Sequence, residues 1–428
     1  MTGYYTYMDN KGGYNNAGKV VEVLAPAGSL DICKAVINAG ADAVYLGGDM
    51  FGARAYAGNL NQEEMFEALD YAHKLDRHIY LTVNTLLKQN EIEGQLIDYI
   101  ATFYERGLDA VIVQDLGVMR LIRQNFPDMD IHASTQMTQT GVEGAGLLYK
   151  AGAVRVVTSR EMTLGEIKKL HEAYPDMEIE SFVHGAMCIS HSGRCLLSNY
   201  FTGRNANSGE CTHPCRWKYS VMEQTRPGEY MPVYENERGT YIFNSKDLCM
   251  IEHIPELIDA GIDSFKIEGR MKTALYVGTV ARTYRMAIDD YLESPDKYYA
   301  NLDKYRELIS QCTFRQYTTG FFFGKPDETT QIYDKNVYER NYVYLGLVGE
   351  KVGEHKYTIT QKNKFCVGDT IEVMKKDGRD IEVKVISIQD EEGNEMESCP
   401  HPQQKLFIDL GIELELGDIL RKKDVVTA

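Results

Sequence analysis

No stretch of this sequence stays apolar over the roughly 18 residues that a membrane-spanning helix requires. The opening MTGYYTYMDNKGGYNNAGK is polar and rich in glycine and asparagine, without the apolar core of a secretory signal. Residues 1–20 are therefore expected to form a flexible tail, and the protein is expected in the cytoplasm. Cysteine is scarce, nine in 428 residues, and thiols in a reducing cytoplasm rarely form structural disulfides. Basic charge is in deficit. Lys and Arg number 46 against 63 Asp and Glu, a net charge of −17, which argues against a broad, non-specific nucleic-acid binder. Signatures of familiar chemistries are also missing. There is no H-E-x-x-H zinc-protease helix, no G-x-S-x-G nucleophile elbow, no dinucleotide fingerprint and no C-x3-C-x2-C of the radical enzymes.

What is present is an alternation. Short apolar runs at 21–26, 41–48, 78–84, 109–115, 130–135, 153–161, 178–186 and 263–270 are separated by segments of helical period or by an insertion. Runs apolar on both faces indicate parallel strands covered by helices on one side and a core on the other. Eight such units in about 270 residues predict a TIM-like (β/α) barrel. An open doubly wound sheet is the alternative. Ser29 is placed to cap the first helix and Gly40 to end it. After residue 340 the pattern changes to short alternating strands, and VGDTIEV and LGDILRK each set Gly-Asp before a strand. This predicts a small all-β barrel domain. The expected organisation is a tail at 1–20, the barrel with a cysteine-rich insertion and hairpin (188–243) over 21–295, a connector at 296–340, and the β-domain at 341–428.

Four of the nine cysteines fall in one stretch. Cys188, Cys195, Cys211 and Cys215 follow C-x6-C-x15-C-x3-C. Four thiolates can hold zinc or an iron–sulfur cluster. Zinc sites show two tight knuckles, and only Cys211–Cys215 is tight, so the open spacing favours a polynuclear cluster while zinc and unliganded thiols remain alternatives. The surroundings are basic. Between Phe182 and Ser220 the only acid is Glu210, against Arg194, Arg204, Arg216 and Lys218 with His184, His191 and His213. The remaining cysteines, at 33, 249, 312, 366 and 399, are scattered and read as packing residues.

In a TIM barrel the C-terminal strand ends build the active site. Asn84, Asp115, His132, Gln136, Glu161, His184, Lys266, Glu268 and Arg270 fall at or near those ends. Lys266, Glu268 and Arg270 alternate, so they share a face, expected to be the inner one and suited to an anion. His132 or His184 is expected to move protons.

At the cysteines the chain resembles a known family. ESFVHGAMCISHSGRCLLS (180–198), LAPAGSLDICKAVINAGADAVYLGG and FNSKDLCMIEHIPELIDAGIDSFKIEGRMK are similar to segments of the collagenase-like peptidase family U32. The likeness runs from about residue 21 to the β-domain. Its name implies a peptidase; its better-understood members hydroxylate RNA or ubiquinone precursors without oxygen. Length and β-domain look most like the branch that forms 5-hydroxyuridine at the wobble position of tRNA. That resemblance implies a [4Fe–4S] cluster on Cys188, Cys195, Cys211 and Cys215, prephenate as co-substrate, the tRNA anticodon loop as partner, and in some relatives a paralogous subunit. Arg270, Lys266 and Arg194 would then hold carboxylates, with Asn84, Gln136 and Glu161 on substrate and His132, His184 and Glu268 catalytic. A peptidase and a structural-zinc binding module are the competing readings.

Overall fold

The computed structural model describes residues 21–52, 59–188, 190–191, 195–204, 211–214, 220–222, 230–232, 244–313, 315–325, 331–332, 341–401 and 404–424. The expected tail at 1–20, Arg194 and Cys215 lie outside them.

Eight parallel strands close on themselves. They are β1 (Glu22–Pro26), β2 (Ala43–Leu46), β3 (His78–Val83), β4 (Ala110–Val113), β5 (Asp130–Ala133), β6 (Arg155–Val157), β7 (Glu178–Ala186) and β8 (Ser264–Ile267). Each pairs with the next, and β8 pairs with both β7 and β1, which completes the barrel. The helices alternate with the strands as the periodicity predicts. Ser29 caps Leu30–Asn38, its hydroxyl accepting from the Ile32 N–H. Asn61 and Glu64 close a capping box on Gln62–Lys74. The helical segment between β3 and β4 is broken in two, Gln89–Gly94 and Leu96–Tyr104.

Strand alternation sorts the side chains. Val23, Val44, Leu81, Val111, Ile131, Ile179 and Phe265 face outward into the layer under the helices. Leu24, Ala43, Tyr45, Tyr80, Ala110 and Ile112 fill the interior. Between β7 and β8 the register shifts after Lys266, so that Phe182 partners Lys266 but His184 partners Ile267. That bulge reverses the side to which the following residues of β7 point.

The second domain is an antiparallel sheet of seven strands: β9 (Tyr342–Gly353), β10 (Lys356–Gln361), β11 (Thr370–Met374), β12 (Ile381–Lys384), β13 (Ser387–Gln389), β14 (Lys405–Asp409) and β15 (Ile419–Lys423). Its order is β12-β11-β15-β9-β10-β14-β13, with no pairing of its two edges among the described residues. The expected small β-barrel is thus an open half-barrel wrapped around its own core of Val348, Tyr357, Ile359, Val373, Ile388 and Leu406. Both Gly-Asp pairs do what their position predicts. Gly368 and Gly417 take left-handed backbone, φ 84° and 85°, immediately before β11 and β15.

One helix joins the domains. Ala274–Glu293 packs on the barrel through Val277, Val280, Tyr284 and Ile288. Its other face meets the half-barrel. A Cβ on Gly278 would lie 2.6 Å from Ile419 Cδ1, and Arg282, fully buried, donates to the Lys375 carbonyl and pairs with Asp380. The connector packs against the barrel: Phe322 enters the core, and strand Tyr317–Thr318 pairs with Asp247–Cys249.

Candidate functional site at the C-terminal rim of the barrel

The lower barrel is filled by charge. Arg155 Nη1 lies 2.7 Å from Glu22 and 3.2 Å from Glu180, and Arg155 Nε lies 2.8 Å from Glu178. Tyr80 and Ser264 hydroxyls both donate to Glu22 at 2.6 Å. Burial alone would raise the Glu22 pKa, but the Arg155 charge and these hydrogen bonds hold it below the ordinary carboxylate value. Lys266 belongs to this network: its Nζ donates to Glu180 at 2.6 Å and stands over the Tyr45 ring. His132 stands edge-on to Tyr80 at 4.6 Å, its Nδ1 without a partner. Burial, with Arg155 and Lys266 near by, holds its imidazole well below the ordinary value.

Above this plug the strand ends carry one buried arginine together with amides and carboxylates. Arg270, 4% exposed, reaches Asn59 Oδ1 at 2.5 Å and the Thr82 hydroxyl at 3.4 Å. Gly47 leaves room for it: a Cβ there would lie 1.9 Å from Arg270 Nη2. Asn84 follows β3, and Gln136 sits in the 3-10 turn Thr135–Met137 after β5 with its Oε1 buried and unpartnered. Asp115 is committed to capping Leu116–Asn125. Glu268 follows β8, half-buried, its N–H bonded to the His184 carbonyl. Gly185, at φ 112°, allows that approach, since a Cβ would stand 2.6 Å from the Glu268 carbonyl.

The cysteine segment leaves from β7. Cys188 is exposed; Cys195 and Cys211 are partly buried. Burial raises the Cys195 thiol pKa, and the Cys188 and Cys211 sulfurs are close enough to raise it further. The short helix Leu197–Thr202 ties these cysteines together: buried Ser198 accepts from the Thr212 N–H at 3.1 Å, next to Cys211. Among the described residues no three His, Cys, Asp or Glu side chains already form a metal-holding group. The donor set nevertheless suits a thiophilic centre, since three thiols lie in one insertion that leaves the barrel rim and Cys215 follows four residues after Cys211.

Glu161 anchors this segment to the barrel, 3.2 Å from His191 Nδ1. Ser159 donates to Glu161 and stands 3.5 Å from the same His191 nitrogen. Serine, histidine and carboxylate are the parts of a hydrolase triad, but the arrangement is not one. In a triad the serine and the carboxylate meet opposite ring nitrogens, whereas here both meet Nδ1 and the serine hydroxyl is spent on the glutamate.

The structure therefore gathers Asn84, Gln136, Glu161, Glu268, Arg270 and the three described cysteines at one rim. It places Lys266 and His132 deeper, inside the barrel. His184 points away from it, among Tyr276, Tyr284 and Tyr317 at 6.0, 5.7 and 5.5 Å, with neither ring nitrogen partnered. Burial pushes its pKa down to about 3. The reversal follows from the β7 bulge, which alternation in the sequence does not reveal. The sequence reading also passed over Gln114, whose Nε2 is buried without a partner at the end of β4, and Arg160, 3.8 Å from the Phe182 ring centroid. A cavity of about 480 Å³ lies elsewhere, between barrel and half-barrel, lined by Ser29, Lys272, Tyr276, Tyr342, Tyr344 and Lys362. It contains none of the rim residues, and the closed-barrel topology argues for the rim as the site of chemistry.

A closed (β/α) barrel with a thiol-rich insertion at its C-terminal rim, carrying an antiparallel half-barrel, defines the class of protein. The chain belongs to Peptidase family U32: the family's model matches residues 28–332 and that of its C-terminal domain matches 340–421. It is 36% identical to the tRNA hydroxylation protein P1 of Bacillus subtilis over 94% of this chain and 95% of that protein. It is 34% identical to the tRNA hydroxylation protein P of Escherichia coli, over 92% and 95% respectively. An uncharacterized protease of Methanocaldococcus jannaschii is 43% identical over 71% of this chain and 73% of that protein. No helix among the described residues is long and apolar enough to cross a membrane.

Proposed function

We propose that the protein is an RNA-modifying enzyme that forms 5-hydroxyuridine at the wobble position of tRNA. The observation that carries this reading is the thiol-rich insertion with Cys188, Cys195 and Cys211 leaving the rim end of β7, the strand whose His184 carbonyl accepts from the Glu268 N–H, in a chain aligned almost end to end with tRNA hydroxylation proteins. Cys188, Cys195, Cys211 and Cys215 would hold a [4Fe–4S] cluster, which when bound supplies a redox-active, Lewis-acidic centre. Arg270 would hold a carboxylate of the co-substrate, proposed to be prephenate, in a recess that admits a planar guanidinium fork. Glu161 orients His191 and fixes the insertion that bears the cysteines. Glu268, half-buried at the rim, is placed to take or give a proton. The target uridine would enter from an anticodon loop, whose unpaired bases can be splayed out. The peptidase reading has the family name and the M. jannaschii relative behind it, but Ser159, His191 and Glu161 lack triad geometry.

The test is nucleoside analysis of tRNA from a deletion strain, complemented with wild type or with each Cys→Ala variant, alongside iron and acid-labile sulfide content of protein purified without oxygen. Loss of 5-hydroxyuridine, restored only by wild type, with about four iron and four sulfide per chain, is expected. Zinc without sulfide, or unchanged nucleosides, would overturn the reading.

A further inference from the structure

The helix Leu197–Thr202 has two unlike faces. Ser198 turns inward, and its hydroxyl and that of Thr202, four residues on, both bond to Thr212 beside Cys211. Leu196 and Tyr200, also four apart, turn outward and are 67% and 82% exposed, with Phe201 beside them at 44%. Tyr200 and Phe201 stand edge to face, ring centroids 5.1 Å apart. Single apolar residues on a surface are ordinary, but a contiguous cluster of one leucine and two aromatics is not. Arg204 follows directly after the Gly203 cap and is exposed, as is His213. The surrounding sequence, from Phe182 to Ser220, has a single acid in a chain whose net charge is −17.

Exposed aromatic rings within basic surroundings are what unpaired nucleotides require: a π-face for the base and positive charge for the phosphate. Charge complementarity selects this partner, because elsewhere the acidic surface would repel RNA. We propose that Tyr200 and Phe201 form a stacking platform for an unpaired RNA base flanking the nucleotide to be modified. The platform is fixed to the cysteine segment through Ser198 and Thr212, so a base seated on it is held at a set distance from the rim. This rests on the RNA-modifying reading above and adds to it the surface that grips the loop.

The test measures binding of the full chain, purified without oxygen, to a fluorescent anticodon stem-loop and to a blunt RNA duplex of equal length. Tyr200→Ala is expected to weaken stem-loop binding about ten-fold or more and to leave duplex binding unchanged. Tyr200→Phe and Tyr200→Trp, which keep a π-face, are expected to bind like wild type. Iron content and melting temperature serve as controls, since the side chain is exposed. Wild-type affinity in Tyr200→Ala would overturn the platform while leaving the enzymatic reading intact. Wild type that binds neither RNA would overturn the enzymatic reading itself. A wild-type dimer that becomes a monomer in Tyr200→Ala, with RNA affinity unchanged, would make this face a self-association surface and overturn the RNA partner.

Discussion

Lys266 Nζ lies 2.6 Å from Glu180 Oε1 in the barrel interior, and neither side chain is more than 5% exposed. Burial draws the ammonium pKa below the ordinary lysine value while the carboxylate pulls it back. A lysine so engaged braces the barrel and does not wait for a ligand. Lys266→Met is expected to cost about 3 kcal/mol, near the lower end for breaking a buried pair, because Arg155 remains 3.2 Å from Glu180. Urea unfolding measures it. A variant with an unchanged midpoint but a raised requirement for the anionic co-substrate would return Lys266 to the binding site.

His184 gives the protein a dependence on acid. Its folded pKa of about 3 lies below the ordinary 6.5, so between those values the unfolded chain takes up a proton that the folded chain excludes. Its contribution to stability is complete above pH 6.5 and is lost as pH falls toward 3. The slope is at most about 1.4 kcal/mol per pH unit for each such histidine, and His132 adds to it with the same sign. His184→Phe, whose ring needs no hydrogen bond among Tyr276, Tyr284 and Tyr317, is expected to keep stability at pH 7 and flatten its fall between pH 7 and 5. Melting curves across that range test this. A stable but inactive His184→Phe would show that the imidazole does chemistry after all.

Gly47 and Arg270 should behave as one unit. Gly47→Ala puts a methyl 1.9 Å from Arg270 Nη2, so the guanidinium must leave its recess. On the proposed function, the expected result is a co-substrate requirement raised about ten-fold or more in Gly47→Ala and in Arg270→Ala alike, with the double variant no worse than either. Hydroxylation measured against co-substrate concentration decides it. Additive losses would mean that the two residues act separately.

Much of the fold was legible before any coordinates. All eight strand segments proved to be barrel strands, because strands covered on both sides carry apolar residues at nearly every position. The helix cap at Ser29 is local chemistry, and both Gly-Asp turns rest on a glycine at positive φ. The site was legible in part. Cys188, Glu268 and Arg270 were placed at the rim by their position after a strand. His184 and Lys266 were not, for two different physical reasons. A bulge between β7 and β8 turned the first outward, and a carboxylate two strand positions before Phe182 claimed the second. Long-range pairing of this kind, such as Lys266 with Glu180 or Arg155 with Glu22, leaves no mark in sequence spacing.

The helix Ala274–Glu293 serves two cores at once, and Gly278 and Arg282 are shaped to the half-barrel as closely as Tyr284 is shaped to the barrel. Neither domain can be inherited without the other unless this helix changes first. A descendant that discarded the half-barrel would present Leu275 and Met374's former seat to water, and it would strand the Arg282 guanidinium far from Asp380. Lineages of shorter chains must therefore carry a rewritten version of this one segment, and its outward face should record, residue by residue, whether an ancestor ever had a second domain to lean on.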